Sequence, residues 1–169
     1  MSLSKYCLFA LLLAGPYTLQ AQEIKWLTWE QAAAANEKEP RKIFVDLYTD
    51  WCGWCKKMDV TTFKDPAVVA LMNDKFYAVK LNAEQKETIN WKGFEWVWMP
   101  GGRNGYHKLA YELSDGRLSF PTFVMLDEEF IRIAISPGYK VGEPFIKELK
   151  YAAEEHYKNT AWEAYISKS

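Results

Sequence analysis

An α/β sandwich with a mixed central sheet is the fold class this sequence predicts, on two observations. Helix-like segments alternate with short runs of β-branched and aromatic residues, as crossover-connected strands require. The last two such runs, "FPTFVMLD" and "FIRIAIS", are separated only by an acidic turn at Asp127 to Glu129, which reads as a hairpin. With 169 residues, of which 49% are hydrophobic, the chain can bury an ordinary core without disulfide staples. One folded domain, residues 22–169, is expected once the N-terminus is set aside.

That N-terminus, "MSLSKYCLFALLLAGPYTLQAQ", has one lysine, an apolar run over 6–14, the helix-breaking pair Gly15-Pro16 and a small residue at Ala21. The pattern is that of a cleavable secretory signal, residues 1–21. The apolar run is too short to span a bilayer comfortably, so no membrane insertion of the mature chain is expected. Cys7 would be discarded with the signal, and the mature chain would be exported to a periplasmic or other extracytoplasmic compartment. A net charge of −1 with both signs interspersed gives no surface for nucleic acid.

Along the mature chain, Thr28 with Gln31 three residues on makes a capping-box pattern and Pro40 closes the first helix. Residues 41–49, "RKIFVDLYT", read as a buried strand with one acid, Asp46, inside it. A helix then opens at the cysteines and runs to about Val60. A second begins at Asp65-Pro66, N-cap and proline at N1, and runs to about Lys75. "FYAVKLNA" is the next strand. Residues 84–119 are irregular, with the aromatic "WKGFEWVWMPGGRNG" ahead of a helical "YHKLAYEL"; His107 and Tyr111 in this segment are expected to be surface or packing residues. A long helix from about Glu143 is expected to close the chain.

The chemistry concentrates in "DWCGWCKKMD". Structural zinc needs four ligands, but the two histidines, His107 and His156, stand far apart and in no ligand pattern. Covalent haem needs His after the second cysteine, and Lys56 is there. A purely structural disulfide across so short a loop gains little closure entropy. A redox pair fits the context better, because a thiolate at a helix N-terminus is stabilised by the macrodipole and by unpaired N–H groups. Cys52 holds that position and reads as the attacking thiolate; Cys55, one turn inside, reads as the resolving thiol. Lys56 and Lys57 read as solvated helix residues. Asp46, six residues before Cys52, is read as a buried carboxyl with a raised pKa, able to take the resolving thiol's proton, with Lys80 in the next strand as its charge partner.

These residues resemble the thioredoxin superfamily, in "FVDLYTDWCGWCK", "AVKLNAEQ" and "FPTFVMLD". The resemblance covers roughly residues 25–157, and the segment after the cysteines is similar to exported thioredoxin-like proteins and to the C-terminal domain of the transmembrane thiol:disulfide interchange protein. It implies a thioredoxin fold, a central mixed β-sheet flanked by helices, with an aromatic-rich insertion at about 84–119 before the cis-proline strand. It carries across Asp46, Trp51, Cys52, Cys55, Lys80 and Pro121. Pro121 would be cis, beside the pair, with its backbone edge meeting the substrate. An X-Pro step between a turn and a strand suits that role independently. Trp54 and Phe120 would join Trp51 and Pro121 on the substrate side. Two departures stand out: Gly-Trp between the cysteines where housekeeping thioredoxins have Gly-Pro, and a bulky Phe120 before the proline.

The resulting expectation is an exported protein thiol:disulfide oxidoreductase, a reductase or isomerase, whose redox-active Cys52–Cys55 disulfide needs no metal or organic cofactor. Its partners would be protein thiols and disulfides and an upstream electron donor, a membrane reductase among the candidates. A dithiol oxidase, and a non-catalytic peptide-binding or chaperone-like module using the aromatic insertion, are the alternatives.

Overall fold

The computed structural model describes residues 23–167. The signal-peptide reading of 1–21, Cys7 included, lies outside the described residues. In chain order the elements are β1 (Trp26–Leu27), α1 (Trp29–Lys38), β2 (Lys42–Tyr48), α2 (Gly53–Val60), α3 (Pro66–Lys75), β3 (Phe76–Asn82), β4 (Ile89–Trp91), β5 (Phe94–Trp96), β6 (Trp98–Met99), β7 (Tyr106–His107), α4 (Lys108–Leu113), β8 (Thr122–Leu126), β9 (Arg132–Pro137), α5 (Gly142–Ala153) and α6 (Trp162–Ser167). The main sheet has the order β1-β3-β2-β8-β9. Its β1, β3 and β2 run parallel, and β8 and β9 antiparallel to their neighbours, so the sheet is mixed as expected.

Local signals explain where the helices start. Thr28 Oγ1 accepts the Gln31 N–H at 3.2 Å while Gln31 Oε1 accepts the Thr28 N–H at 2.9 Å, completing the capping box of α1. Asp65 Oδ1 accepts the N–H groups of Ala67 and Val68, and Pro66 takes the first turn of α3.

The strand period of two divides the core between the faces of the sheet. Ile43, Val45 and Leu47 of β2, Val79 and Leu81 of β3, and Val124 and Leu126 of β8 meet Trp29, Ala32, Leu109 and Ala110 from α1 and α4. On the other face Phe44, Phe76, Ala78, Phe123 and Met125 pack with Met58, Val68, Met72, Phe145 and Leu149 from α2, α3 and α5. Phe44 is the hub of that face, its ring 5.5 Å from Phe123, 6.0 Å from Phe145 and 6.2 Å from Phe76. Asp46 and Lys80 continue the same even-numbered positions, so both side chains face the α2 layer.

Several details differ from the sequence expectation. β1 is two residues long, too short for any alternation to register. The irregular segment contains two small hairpins, β4–β5 and β6–β7. The first turns through Lys92 and Gly93, φ 51° and 77°; a lysine in the left-handed region, where Asn or Asp is usual, disguised that turn. Tyr106 and His107 belong to a strand, so the helix of "YHKLAYEL" is only Lys108–Leu113. At the end of the chain Glu155 adopts φ 60°, which stops the helical path and leaves a 3₁₀ turn and the short α6 where one long helix was expected.

Phe44→Ala should therefore destabilise the fold by about 3–5 kcal/mol, because the surrounding rings would line a void that they cannot fill. An unfolding free energy from guanidinium titration lowered by less than a third of that would show that the aromatic cluster collapses freely.

Candidate active site

β2 ends at Tyr48, and the chain turns sharply enough for the Cys52 N–H to reach the Thr49 carbonyl at 3.1 Å. Cys52 is the N-cap of α2. Its Sγ accepts the Cys55 N–H at 3.1 Å, as a Ser or Asp side chain would in that position. The two sulfurs are joined in a disulfide, and each cysteine is only 3% exposed. Cys52 therefore sits at the partially positive terminus of the helix, with the Cys55 N–H directed at its sulfur, and Cys55 sits one turn inside. A Cβ on Gly53 would meet nothing within 4 Å, so space does not demand glycine there.

Beneath α2, the parallel register pairs Asp46 directly with Lys80, and the two side chains lie on one face. Lys80 Nζ approaches Asp46 Oδ2 at 3.3 Å. This is an ion-pair contact without hydrogen-bond geometry, because neither buried carboxyl oxygen of Asp46 has a directed donor. Burial consequently dominates, and the Asp46 pKa is pushed up to about 6; the Lys80 charge opposes that rise and the Asp59 charge adds to it. Burial pulls the Lys80 pKa down, but the Asp46 and Asp59 carboxylates outweigh it and raise it. Lys80 also lies over the rings of Trp26, Tyr48 and Phe63 at 5.3, 4.9 and 5.8 Å.

Asp59 is the residue that sequence reasoning missed. It forms a short hydrogen-bonded ion pair with Lys80 from α2, and its side chain is 40% exposed. The ammonium of Lys80 thus joins a buried carboxyl to one that reaches water. The signal was present, since Asp59 stands four residues after Cys55 and so on the same helix face.

The rim of the disulfide is aromatic. Register places Leu47 opposite Thr122, so Pro121 lies one step further, beside the end of β2 that leads to Cys52. The Phe120–Pro121 peptide is cis. The Phe120 ring meets Trp51 edge-on at 5.8 Å, which brings the residue before the proline to the residue before Cys52. Trp51 is 61% exposed and donates its Nε1–H to Glu84 Oε1 at 2.9 Å. On the other side Trp54, 62% exposed, leans on Tyr139 at 5.0 Å. All eight residues singled out from the sequence thus lie on or under the disulfide end of β2, β3 and β8; Asp59, Glu84 and Tyr139 join them.

The family model described as Thioredox_DsbH, protein of unknown function, DUF255, matches residues 13–120. An uncharacterized protein of Caenorhabditis elegans is 30% identical over 129 residues, 65% of this chain and 18% of that protein. The thiol:disulfide interchange protein DsbD of Pectobacterium atrosepticum is 49% identical over 35 residues, 21% of this chain and 6% of that protein. The chain thus spans less than a fifth of these curated relatives. A solved structure named DsbH oxidoreductase superposes with a TM-score of 0.57 at 19% identity, covering 84% of this chain and 92% of the other, and shares the thioredoxin-like fold.

The raised pKa of Asp46 has a consequence for stability. A carboxyl whose folded pKa lies above its unfolded value stabilises the fold fully below about pH 4, and that contribution is lost as pH rises through about 6. Asp46→Asn should match the parent near pH 4 and exceed it by about 2–3 kcal/mol at pH 8, in the disulfide form. Denaturant unfolding at both pH values checks this; a difference independent of pH would refute the assignment of the shift to Asp46.

Proposed function

The chain belongs to the Thioredox_DsbH family, described as protein of unknown function, DUF255, and from that premise we propose that it is an exported protein thiol:disulfide oxidoreductase working as a reductase or isomerase. The observation that carries this reading is Cys52 as the capping residue of α2, its sulfur bonded to Cys55 and accepting the Cys55 N–H at the helix N-terminus. A sulfur placed there is stabilised as thiolate when the disulfide is open.

In the reductive direction the Cys52 thiolate attacks one sulfur of a partner disulfide. The partner's S–S bond breaks, its second sulfur leaves as a thiolate and takes up a proton, and Cys52 is left in a mixed disulfide. The Cys55 thiol then loses its proton to the carboxylate of Asp46, and its sulfur attacks Cys52 Sγ. The mixed disulfide breaks, the partner's sulfur leaves as a thiolate that takes up the second proton, the partner departs as a dithiol, and the Cys52–Cys55 disulfide carries the two electrons' worth of oxidation. A pKa of about 6 suits Asp46 to accept and release that proton near neutrality. Lys80 and Asp59 link it toward water. An external dithiol donor returns the pair to the reduced state; the interchange protein of Pectobacterium atrosepticum, by its name, belongs to that class of chemistry. In the isomerase mode the partner's own thiol resolves the first mixed disulfide.

Export rests on the N-terminal sequence pattern. No helix among the described residues is long and apolar enough to cross a membrane.

Cys52→Ser should abolish reduction of insulin by the chain, and Cys55→Ser should accumulate the mixed disulfide, visible on non-reducing gels. Insulin reduction and cellular phenotype that both survive Cys52→Ser would dismiss the redox reading. The reduction potential decides direction: a value near about −270 mV supports reduction, whereas one near about −120 mV makes the chain a dithiol oxidase.

A further inference from the structure

The segment between β3 and β8 builds a cleft of about 710 Å³ that opens beside Trp51 and that the exchange chemistry itself does not use. Trp51, Leu118 and Phe120 form one wall, and the glycine-rich loop 101–105 with Tyr106 forms the other. The loop is held in place by specific contacts. The Gly105 N–H donates to the Gly101 carbonyl at 2.7 Å, and Trp98 Nε1–H donates to the Asn104 carbonyl at 3.3 Å. Gly105, at φ 73°, lies so close to the Trp98 indole that a Cβ there would sit 2.1 Å from it. The Asn104 side-chain amide reaches across to both carboxylate oxygens of Glu84, at 3.0 and 3.1 Å, and the same carboxylate accepts Trp51 Nε1–H. One chain of hydrogen bonds therefore ties the residue preceding Cys52 to the far wall.

The charges of the cleft are unequal in their commitments. Glu84 is engaged by Asn104 and Trp51. Arg103, exposed on the loop, has no ion-pair or hydrogen-bond partner among the described residues. The fork of a guanidinium matches the two oxygens of a carboxylate, the acidic group a polypeptide segment carries on Asp and Glu. The volume lies in the range of ligand clefts, and the cleft shares Trp51 and Phe120 with the rim of the disulfide.

We propose that this cleft is a subsite for the partner protein: it takes an extended segment flanking the partner's cysteine, with an apolar side chain on Trp51, Phe120 and Leu118 and a carboxylate at Arg103. The subsite deepens the disulfide-exchange reading and rests on it for the identity of the occupant. An acidic and apolar segment is thereby held while its neighbouring sulfur is presented to Cys52.

Binding and chemistry are tested apart. Fluorescence polarisation would compare two labelled extended peptides, each with Ser in place of Cys flanked by Leu and either Glu or Lys. At low salt the acidic peptide should bind about 3–5-fold tighter, the size of one exposed ion pair, and the preference should fade at high salt. Arg103→Gln should erase the preference and Arg103→Glu should reverse it. Equal affinities in the parent, or a preference for the acidic peptide that survives Arg103→Glu, would overturn the subsite. Reaction of the reduced parent chain with glutathione disulfide reports on the sulfur chemistry alone. If that reaction fails while the peptide preference and its reversal hold, the oxidoreductase reading falls and the acidic-segment subsite stands.

Discussion

Asp46 sits on the face of β2 that α2 covers, and at 1% exposure its carboxylate can be charged only because the ammonium of Lys80 stands 3.3 Å away. That proximity is set by the parallel register of β2 and β3, which puts position 46 level with position 80 on the same face. A slip of one residue would turn one partner to the opposite layer, among Ile43, Val45 and Leu47, and leave the other charge buried alone. The aromatic cluster around Phe44 and the α3 and α5 helices over it hold the register, and so they fix the electrostatics beneath the disulfide as well as the fold. Lys80 in turn cannot serve Asp46 alone. Its second partner, Asp59, comes from the helix that begins at the cysteines, so the sheet and the disulfide-bearing helix are joined by one shared charge.

The pair illustrates which parts of the molecule were legible in the sequence. An acid within an otherwise apolar strand, a lysine at the matching place in the next strand and two cysteines at a helix start are each local signals, and their meeting in space follows from strand period and parallel pairing. The helix starts were legible for the same reason, since Thr28 with Gln31 and Asp65 with Pro66 act through bonds that span three residues at most. Asp59 escaped because on its own a charged residue late in an amphipathic helix is what solvent exposure also predicts. Its spacing of four from Cys55 put it on the cysteine's helix face, but its meeting with Lys80 across the layer belongs to tertiary structure.

The segment between β3 and β8 was illegible for a different reason. Its strands are two or three residues long, so no period can be read, and its backbone is organised by contacts to distant elements. The His107 N–H donates to the Ala83 carbonyl at 2.7 Å, extending the end of β3 into the inserted segment, and the His107 side chain is fully buried there. His107 is thus a packing residue, with its pKa lowered by that burial. Tyr111, by contrast, is 39% exposed and packs its ring, tilted by 33°, against Tyr106 at 4.9 Å. The aromatic residues of this segment divide accordingly. Trp91 and Trp96 pack against the α1 face with Trp29, whereas Trp98 supports the glycine loop. Successive tryptophans of the segment therefore serve different ends.

Under the proposed exchange chemistry the disulfide has to stay within reach of a partner, yet the thiolate formed from it would be stabilised by fixed dipoles whose value falls as water competes with them. The observed compromise is to bury both cysteines to 3% exposure and to place the exposed hydrophobic surface immediately beside them, on Trp51 and Trp54. Each of these rings meets a second aromatic residue from elsewhere in the chain, Phe120 or Tyr139. Trp51 is further restrained by Glu84, and through Asn104 by a loop that only glycine at 105 can close against Trp98. A partner docking on this rim would bury apolar area at once and exclude water from the sulfurs at the moment of exchange. The rigidity of the inserted loop is then felt at Cys52 without any contact to it, because it sets where the ring of Trp51 can stand.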